Sequence, residues 1–468
     1  MDMEWIWILL IGFVLKFLID WSNDSSKKKK QHKPTGIQLV EPNKAKGVIF
    51  GFKGRKLCIS RPEDIFHCLC TGGTGSGKTS SILIPTLQSI DDASTTSFTI
   101  DISGDIYSNC PDMPDKLVFK PESEETILFN IFGHIDDLAS KEAQYEALEQ
   151  LAFLLMPEKE HMQDSALFFL TEGRKILTAS LIAFYDEGMD FVEICKKVMA
   201  SGWKNLFQEI DLTGNQLASM YISGFRSTSE QNTAGAKQAT DASLKLFATN
   251  HSIASSIGRP AKEKVAFSPK DIENSNIFFV VAEDKLELYR PLSNLLVSLI
   301  MQFIMQRTNA ADRSNILLAL DEFASLGINE ELILAALRRF RKRKCRLLLL
   351  TQSLVDFNLL YGSEVTKAIL ANINFKILLG NLNESESRHY FAELLGTIEK
   401  EKRSISKNSK STTRTIAEEK QYIIDPTEMD KQGKDTVILI GVDGFMKLKK
   451  KLLFQKIKKI TIKKRLRK

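Results

Sequence analysis

Residues 68–79 read Cys-Leu-Cys-Thr-Gly-Gly-Thr-Gly-Ser-Gly-Lys-Thr, and the last eight match the pattern G-x-x-x-x-G-K-[ST] of a phosphate-binding loop. Glycines at this spacing let consecutive backbone N–H groups converge on phosphate oxygens, and the start of the next helix adds partial positive charge. The same pattern also occurs by chance in glycine-rich turns that bind nothing. The flanks favour the phosphate loop, because an apolar strand at 65–70 precedes it and a helix from Ser80 follows it.

Two side chains of this loop have predicted roles of their own. We expect Lys78 to reach the β- and γ-phosphates of a nucleotide and the Thr79 hydroxyl to bind Mg²⁺. The predicted nucleotide-binding residues are Gly72, Gly73, Thr74, Gly75, Ser76, Gly77, Lys78 and Thr79.

The chain has 468 residues and the composition of an ordinary globular protein, with 43% hydrophobic and 26% charged residues. Its length allows two or three domains. Residues 447–468 contain twelve Lys or Arg and no acid, and subtracting these from the net charge of +6 leaves −6 on the rest. This tail is interpreted either as a solvated strand edge or as a surface for phosphate backbones or anionic lipid. The six cysteines and six histidines form no metal motif, and scattered cysteines are typical of a reduced, cytosolic protein.

The first 21 residues predict a membrane anchor. Residues 5–21 are mostly apolar, with tryptophan at both ends and Lys16 near one end, where its stem can reach the interface. They are shorter than the ~20 residues that span a bilayer comfortably. The start is acidic and no small-residue cleavage site follows, which argues against a signal peptide. Residues 27–30 are all lysine, so the positive-inside rule places the bulk of the chain in the cytoplasm. An amphipathic or core helix is the alternative, and residues 22–46 are predicted to be a basic, polar linker.

Strands and helices alternate on both sides of a long helical stretch. The predicted strands after the phosphate loop lie at 95–101, 117–120, 126–130, 276–282, 315–320, 347–352 and 374–379. Their alternation with helices favours a parallel sheet covered by helices. Residues 135–261 show helical periodicity and almost no strand signal, so we predict an all-α insertion there.

This organisation predicts an α/β protein whose RecA-like P-loop NTPase domain is split into residues 47–134 and 262–468. Residues 399–420 are rich in Ser, Thr and Lys without apolar periodicity, which predicts a flexible loop. Residues 436–446 contain an Asp-Gly pair between two apolar runs, which predicts a β-hairpin.

The segment Asn-Ile-Leu-Leu-Ala-Leu-Asp-Glu at 315–322 is a hydrophobic strand that ends in two acids. In a P-loop protein such a strand places Asp321 to hold Mg²⁺ and Glu322 to polarise the water that attacks the γ-phosphate. The alternative is a helix-capping Asp-Glu pair. The phosphate loop elsewhere in the chain favours the catalytic interpretation.

A basic cluster precedes the strand that ends at Gln352. Its seven cations are Arg338, Arg339, Arg341, Lys342, Arg343, Lys344 and Arg346. A glutamine at the end of such a strand can sense a γ-phosphate or orient water. The cluster has three interpretations: a solvated surface, the source of an arginine finger for a neighbouring subunit, or a nucleic-acid contact.

Together these motifs resemble the type IV secretion coupling proteins, the TraG/TraD-like conjugative DNA-transfer ATPases. The resemblance includes the phosphate loop, Leu-Asp-Glu-Phe-Ala-Ser-Leu-Gly at 320–327, and Arg341 placed eleven residues before Gln352. There are two departures. Asp-Ile-Ser-Gly-Asp at 101–105 replaces the family's D-P-K-G-E, and this chain has one apolar N-terminal segment where many members have two.

The resemblance implies a homo-hexameric ring in the membrane of a bacterium, with ATP and Mg²⁺ bound between subunits. Arg341 would then complete the site of a neighbour, where Glu322 and Gln352 are the other catalytic residues. The implied substrate is relaxase-bound single-stranded DNA, delivered to a type IV secretion channel. Two alternatives stay open: an ATP-dependent receptor for protein cargo, and a scaffold that binds nucleotide only to assemble.

Overall fold

The computed structural model describes residues 33–90, 94–102, 104–158, 162–260, 265–308, 313–408, 411–429 and 435–450. The predicted membrane anchor at 1–21 lies outside these residues, as do 22–32 of the predicted linker and 451–468 of the basic tail.

The strands, in chain order, are β1 (Ile37–Val40), β2 (Ile49–Lys53), β3 (Lys56–Ser60), β4 (Cys68–Thr71), β5 (Thr95–Ile102), β6 (Lys116–Phe119), β7 (Leu128–Phe129), β8 (Ala266–Phe267), β9 (Asn276–Val281), β10 (Asn315–Leu320), β11 (Cys345–Thr351), β12 (Phe375–Leu378), β13 (Thr397–Asn408), β14 (Ser411–Tyr422), β15 (Thr436–Ile440) and β16 (Phe445–Lys449).

The α-helices are α1 (Ile84–Ser89), α2 (Asp105–Ser108), α3 (Gly133–Asp136), α4 (Lys141–Leu155), α5 (Asp164–Asp186), α6 (Phe191–Ala200), α7 (Trp203–Leu212), α8 (Gln216–Ser223), α9 (Glu230–Thr249), α10 (His251–Ser256), α11 (Leu286–Gln306), α12 (Glu330–Arg339), α13 (Val355–Asn372), α14 (Ser385–Leu395) and α15 (Pro426–Met429).

Twelve of the described strands form one mixed sheet in the order β1-β3-β2-β16-β15-β12-β4-β11-β10-β5-β9-β6. The strands from β12 to β6 in this order are parallel, which confirms the parallel sheet predicted from the sequence. The strands from β1 to β15 pair antiparallel and extend the sheet beyond β12. Carboxyl ends of the parallel strands therefore meet at one edge.

Both faces of the sheet are covered, and β11 shows why the run of four leucines at its centre, residues 347–350, does not alternate with polar residues. Leu347 and Leu349 belong to one buried cluster, whereas Leu348 and Leu350 belong to the cluster on the opposite face. A strand with no solvated face has no alternating pattern, because every side chain is buried. The first cluster includes α11, and the second includes α1, which follows the phosphate loop.

Helix α11 is part of a segment, Glu283–Gln306, that is long and apolar enough to span a membrane by length and composition. More than half of this segment is buried within the protein. Leu296 and Ile300 of α11 are fully buried in the core beside the sheet. This helix is therefore explained by packing against the sheet.

The chain between β7 and β8 is built from helices α3 to α10. β7 and β8 pair in parallel in a separate two-stranded sheet, so the helical segment begins and ends at neighbouring strands. Its centre is α5, which packs against α4, α8 and α9. Gly173 lets α5 approach α9 closely, since a Cβ there would lie 2.9 Å from the Ala236 carbonyl oxygen. The division of the chain into domains stays a prediction.

Three local predictions need correction. Of residues 399–420, expected to be a loop, the described residues 399–408 and 411–420 lie in the antiparallel strands β13 and β14, whose backbone pairing needs no apolar periodicity in the sequence. Part of the expected linker at 22–46 is the edge strand β1, a short Ile-Gln-Leu-Val run that pairs with β3. The strand expected at 126–130 is limited to β7.

Candidate active site

The phosphate loop connects β4 to a π-helical turn, Thr79–Leu83, that continues into α1. Gly75 and Gly77 have φ angles of 72° and 86°, which other residues rarely adopt, so the glycines are needed for the shape of the loop. The loop lies along a cleft of about 470 Å³, within the usual size range of ligand sites. The cleft residues are Gly73, Thr74, Gly75, Ser76, Gly77, Lys78, Thr79, Ser80, Ile84, Asp105, Asn109, Glu322 and Gln352.

Lys78 is buried at the base of this cleft. Its ammonium group donates a hydrogen bond to the Gly72 carbonyl oxygen over 2.8 Å and lies 3.9 Å from a Glu322 carboxylate oxygen. The charge is therefore held between the loop and the end of β10, at the position from which it can reach a phosphate.

Asp321 follows β10 and is 6% exposed. The Thr79 hydroxyl donates to its carboxylate over 3.2 Å, which joins the two predicted metal ligands. Burial raises the pKa of Asp321 to about 6, and the neighbouring charge of Glu322 acts in the same direction. A bound dication would oppose both effects, because it favours the ionised carboxylate.

The oxygen donors at this point fit Mg²⁺ rather than a metal held in an all-protein cage. Within the described residues, no group of three or more His, Cys, Asp or Glu side chains is arranged to hold a metal ion. Mg²⁺ commonly takes one or two protein oxygens and completes its shell with phosphate and water. Asp321 and Thr79 supply such a pair.

Glu322 has a left-handed backbone conformation, with φ 44° and ψ 48°. This conformation is uncommon for a residue with a Cβ and is costly, so the surrounding structure must hold it. Its side chain is about one-quarter exposed and lines the cleft. The sharp turn therefore separates the roles of two adjacent acids, with Asp321 buried against Thr79 and Glu322 facing the cleft.

Gln352 follows β11 and contacts the two neighbouring segments. Its Nε2 donates to the Glu322 carboxylate over 3.0 Å. Its Oε1 accepts a hydrogen bond from the Thr74 hydroxyl over 2.9 Å. One hydrogen-bonded chain thus runs from the tip of the phosphate loop to Glu322.

Arg341 is the predicted site residue that the structure leaves apart from the others. It lies in a 3₁₀ turn, Phe340–Arg343, before the amino end of β11, and its exposed guanidinium is 5.2 Å from the centre of the Phe66 ring. Gln352 follows the opposite end of the same strand. Seven strand residues span about 23 Å, so Arg341 does not reach the cleft of its own chain.

Two residues with roles in this region were not predicted from the sequence. Lys450 follows β16 and donates to the Ser76 carbonyl oxygen of the phosphate loop. Asp101 accepts hydrogen bonds from the backbone N–H groups of Gly104, Ile106 and Tyr107, so it shapes the turn before α2. Asp101 could have been found from the sequence, because it is an acid near the carboxyl end of a predicted strand. Lys450 could not, because nothing in the sequence distinguishes it from the other cations of the tail.

Comparison with solved structures shows the fold. The bacterial conjugative coupling protein TrwBdeltaN70, in an unbound form, matches with a TM-score of 0.65 at 18% identity, covering 84% of this chain and 86% of that chain. TrwB in complex with ADP and Mg²⁺ gives the same values. VirB4 of Thermoanaerobacter pseudethanolicus matches with a TM-score of 0.51 at 12% identity, covering 86% of this chain and 96% of that chain.

A search of curated protein sequences finds no significant match. The family model described as type IV secretory system conjugative DNA transfer matches residues 20–467, which is nearly the whole chain. The chain therefore belongs to the type IV secretory system conjugative DNA transfer family, the family of the type IV coupling proteins.

Proposed function

We propose that this protein is a Mg²⁺-dependent ATPase that drives the transfer of a relaxase–DNA substrate into a type IV secretion channel. One observation carries the proposal: Thr79 contacts Asp321 at the same sheet edge where Gln352 contacts Glu322, beside the ammonium of Lys78. These are the phosphate-binding, metal-binding and water-activating groups that phosphoryl transfer requires. Solved structures of TrwB with ADP and Mg²⁺ and with the ATP analogue ADPNP support the choice of nucleotide.

Bound MgATP supplies the phosphoryl group and the metal charge that stabilises its transfer. The backbone of residues 72–79 and the Lys78 ammonium hold the phosphate oxygens, while Thr79 and Asp321 hold the metal. Lys78 exchanges its hydrogen bond to the Gly72 carbonyl for one to phosphate. This exchange favours binding because a charge-assisted bond to a phosphate is stronger than one to a neutral carbonyl.

Glu322 polarises the attacking water, and Gln352 senses the γ-phosphate. In the structure the Gln352 amide donates a hydrogen bond to one carboxylate oxygen of Glu322. Glu322 therefore gains acceptor capacity for water when Gln352 turns towards another acceptor. A γ-phosphate oxygen is such an acceptor, which couples the presence of ATP to activation of the base.

Arg341 acts on the site of a neighbouring subunit. The distance of Arg341 from its own cleft excludes a role there. Arg341 is exposed at the opposite edge of the sheet, where a partner subunit can reach it. An arginine supplied in trans stabilises charge on the transferred phosphoryl group. The proposed assembly is a homo-hexamer anchored in a bacterial membrane by residues 1–21, with the bulk of the chain in the cytoplasm.

DNA binding by the purified full-length protein tests the cargo. A protein that neutralises phosphates releases counterions, so the logarithm of its affinity for single-stranded DNA falls steeply and linearly with the logarithm of salt concentration. We expect such a slope with an oligonucleotide. A slope near zero, or no binding at low salt, would favour the other candidate, a receptor for protein cargo.

A further inference from the structure

Lys450 links the last strand of the sheet to the phosphate loop. β16 runs parallel to β4, because β4 is parallel to β12, β12 is antiparallel to β15, and β15 is antiparallel to β16. The carboxyl ends of β16 and β4 therefore lie at the same edge. Lys450 immediately follows β16, and its ammonium group donates to the carbonyl oxygen of Ser76.

The acceptor belongs to the peptide group that joins Ser76 to Gly77. The carbonyl oxygen of this planar unit and the N–H of Gly77 point in opposite directions. A cation bound to the oxygen therefore fixes the direction of the N–H, and it polarises that N–H as a donor. In a phosphate loop this N–H belongs to the row that receives the phosphate oxygens.

The loop needs such an anchor at this peptide. Gly75 and Gly77, on either side of Ser76, both have positive φ angles, and glycine crosses between positive and negative φ with little cost. A Cβ added at Gly75 would meet no atom within 4 Å, so no neighbouring side chain limits the loop at that residue. The Lys450 contact restrains the peptide from its buried side, where Ser76 is 3% exposed.

The lysine is also more than a surface cation that happens to touch the loop. Its backbone N–H donates to the Asp435 carbonyl oxygen, which sets the position of the chain where the side chain departs. Burial lowers the pKa of Lys450, and the charge of Asp435 opposes that shift. A half-buried ammonium group that donates to a backbone carbonyl indicates a defined structural contact rather than a chance surface contact.

We propose that Lys450 is a positioning residue of the nucleotide site, which holds the Ser76–Gly77 peptide in the orientation that binds phosphate. This inference rests on the proposed nucleotide-binding function. The contact acts on the bound phosphates in the ground state and the transition state alike. Removing it should therefore raise KM and Kd while leaving kcat nearly unchanged.

The test compares the full-length Lys450→Met, Lys450→Arg and Lys449→Met variants with the wild type. Lys449 is the matched control, because it is the exposed last residue of β16 and directly precedes Lys450. Affinity is measured with a fluorescent ATP analogue and Mg²⁺, and kcat and KM from steady-state ATP hydrolysis. We expect K450M to raise Kd and KM about tenfold with kcat within about threefold, because one hydrogen bond to a charged group is lost. K450R should recover most of the loss, and K449M should match the wild type.

Several outcomes would overturn the inference. Wild-type affinity in K450M would do so, and so would an arginine variant as weak as the methionine variant. If K450M does not fold, equal affinities of the wild type and Lys450→Gln would decide against it, since glutamine is too short and neutral to replace the contact. Lys78→Ala separates the proposed nucleotide binding from the inference about Lys450. If the wild type binds ATP and Lys78→Ala does not, the proposed function stands even if Lys450 has no effect. A wild type that binds no ATP contradicts both.

Discussion

Gln352 donates a hydrogen bond to Glu322, with 3.0 Å between Nε2 and Oε1. The Thr74 hydroxyl sets the orientation of the same amide, because it donates to the other end of it. Thr74, Glu322 and Gln352 follow strands β4, β10 and β11, which are neighbours in the sheet. The proposed base, the proposed γ-phosphate sensor and the tip of the phosphate loop are therefore one connected unit.

Gln352→Ala should lower kcat for ATP hydrolysis by about tenfold to a hundredfold, since a hydrogen bond made to the transferring phosphate is lost. The Kd for a non-hydrolysable ATP analogue should stay within about threefold, because on binding Gln352 only exchanges its hydrogen bond to Glu322 for one to phosphate, while Lys78 and the loop backbone are untouched. Steady-state kinetics and analogue binding measure the two quantities. Thr74→Val is the control, since it removes only the hydroxyl that orients the amide, and its kcat should fall less. An unchanged kcat in Gln352→Ala would show that Gln352 does not sense phosphate.

The raised pKa of Asp321 predicts a pH-dependent stability without Mg²⁺ and nucleotide. The folded protein holds the proton more tightly than the unfolded chain, so its free energy of unfolding falls as pH rises from about 4 through 6. Asp321→Asn removes this penalty of about 3 kcal/mol at pH 8. The variant should therefore unfold at higher denaturant than the wild type at pH 8, with a smaller difference at pH 5.

Asp105→Asn provides the control for that experiment, because Asp105 lies in the same cleft but is exposed. Its stability should follow the wild type at both pH values. If Asp321→Asn is equally stabilised at pH 5 and pH 8, the carboxyl of Asp321 is not the titrating group.

The backbone of Glu322 predicts a stability difference between two inactive variants. Alanine at this position retains the strain of the left-handed conformation, whereas glycine adopts it freely. Glu322→Gly should therefore be more stable to urea than Glu322→Ala by about 1 kcal/mol. Equal stability would mean that the turn relaxes when the side chain is removed.

Mixed oligomers test the role of Arg341. Lys78→Ala removes nucleotide binding from a subunit's own site, and Arg341→Ala removes the group offered to the neighbour. Each variant alone should lose most of its ATPase activity, by about 10³-fold or more for the arginine. Mixing them creates some interfaces with an intact lysine and an intact arginine, so part of the activity should return. No recovery in oligomers verified to contain both variants would argue against Arg341 as the residue acting in trans.

Much of the sheet and of the site could be predicted from short segments. The run of four leucines at 347–350 indicated a buried strand, and the glycine pattern before Lys78 identified the phosphate loop. Asp321 and Glu322 were recognised because a hydrophobic strand ended in two acids. In each case the signal lies within about ten consecutive residues.

The features that were missed depend on contacts between distant parts of the chain. Lys450 and Ser76 are 374 residues apart, and their contact requires β16 to run parallel to β4, which no local pattern encodes. The hairpin β13–β14 was missed because backbone pairing leaves no periodic signal in a polar sequence. The separation of Arg341 from Gln352 follows from the length of β11, and only the strand direction shows that the two lie at opposite edges.

The most direct test of the central claim is steady-state ATP hydrolysis by the assembled full-length protein, compared with Glu322→Gln. Glutamine keeps the size of the side chain but cannot polarise water as a base. We predict Mg²⁺-dependent turnover by the wild type and a loss of about 10²- to 10⁴-fold in Glu322→Gln, with the Kd for an ATP analogue within about threefold of the wild type. Wild-type turnover in Glu322→Gln would contradict the assignment of the base. ATP binding by the wild type with no turnover at all would contradict the ATPase and favour a scaffold.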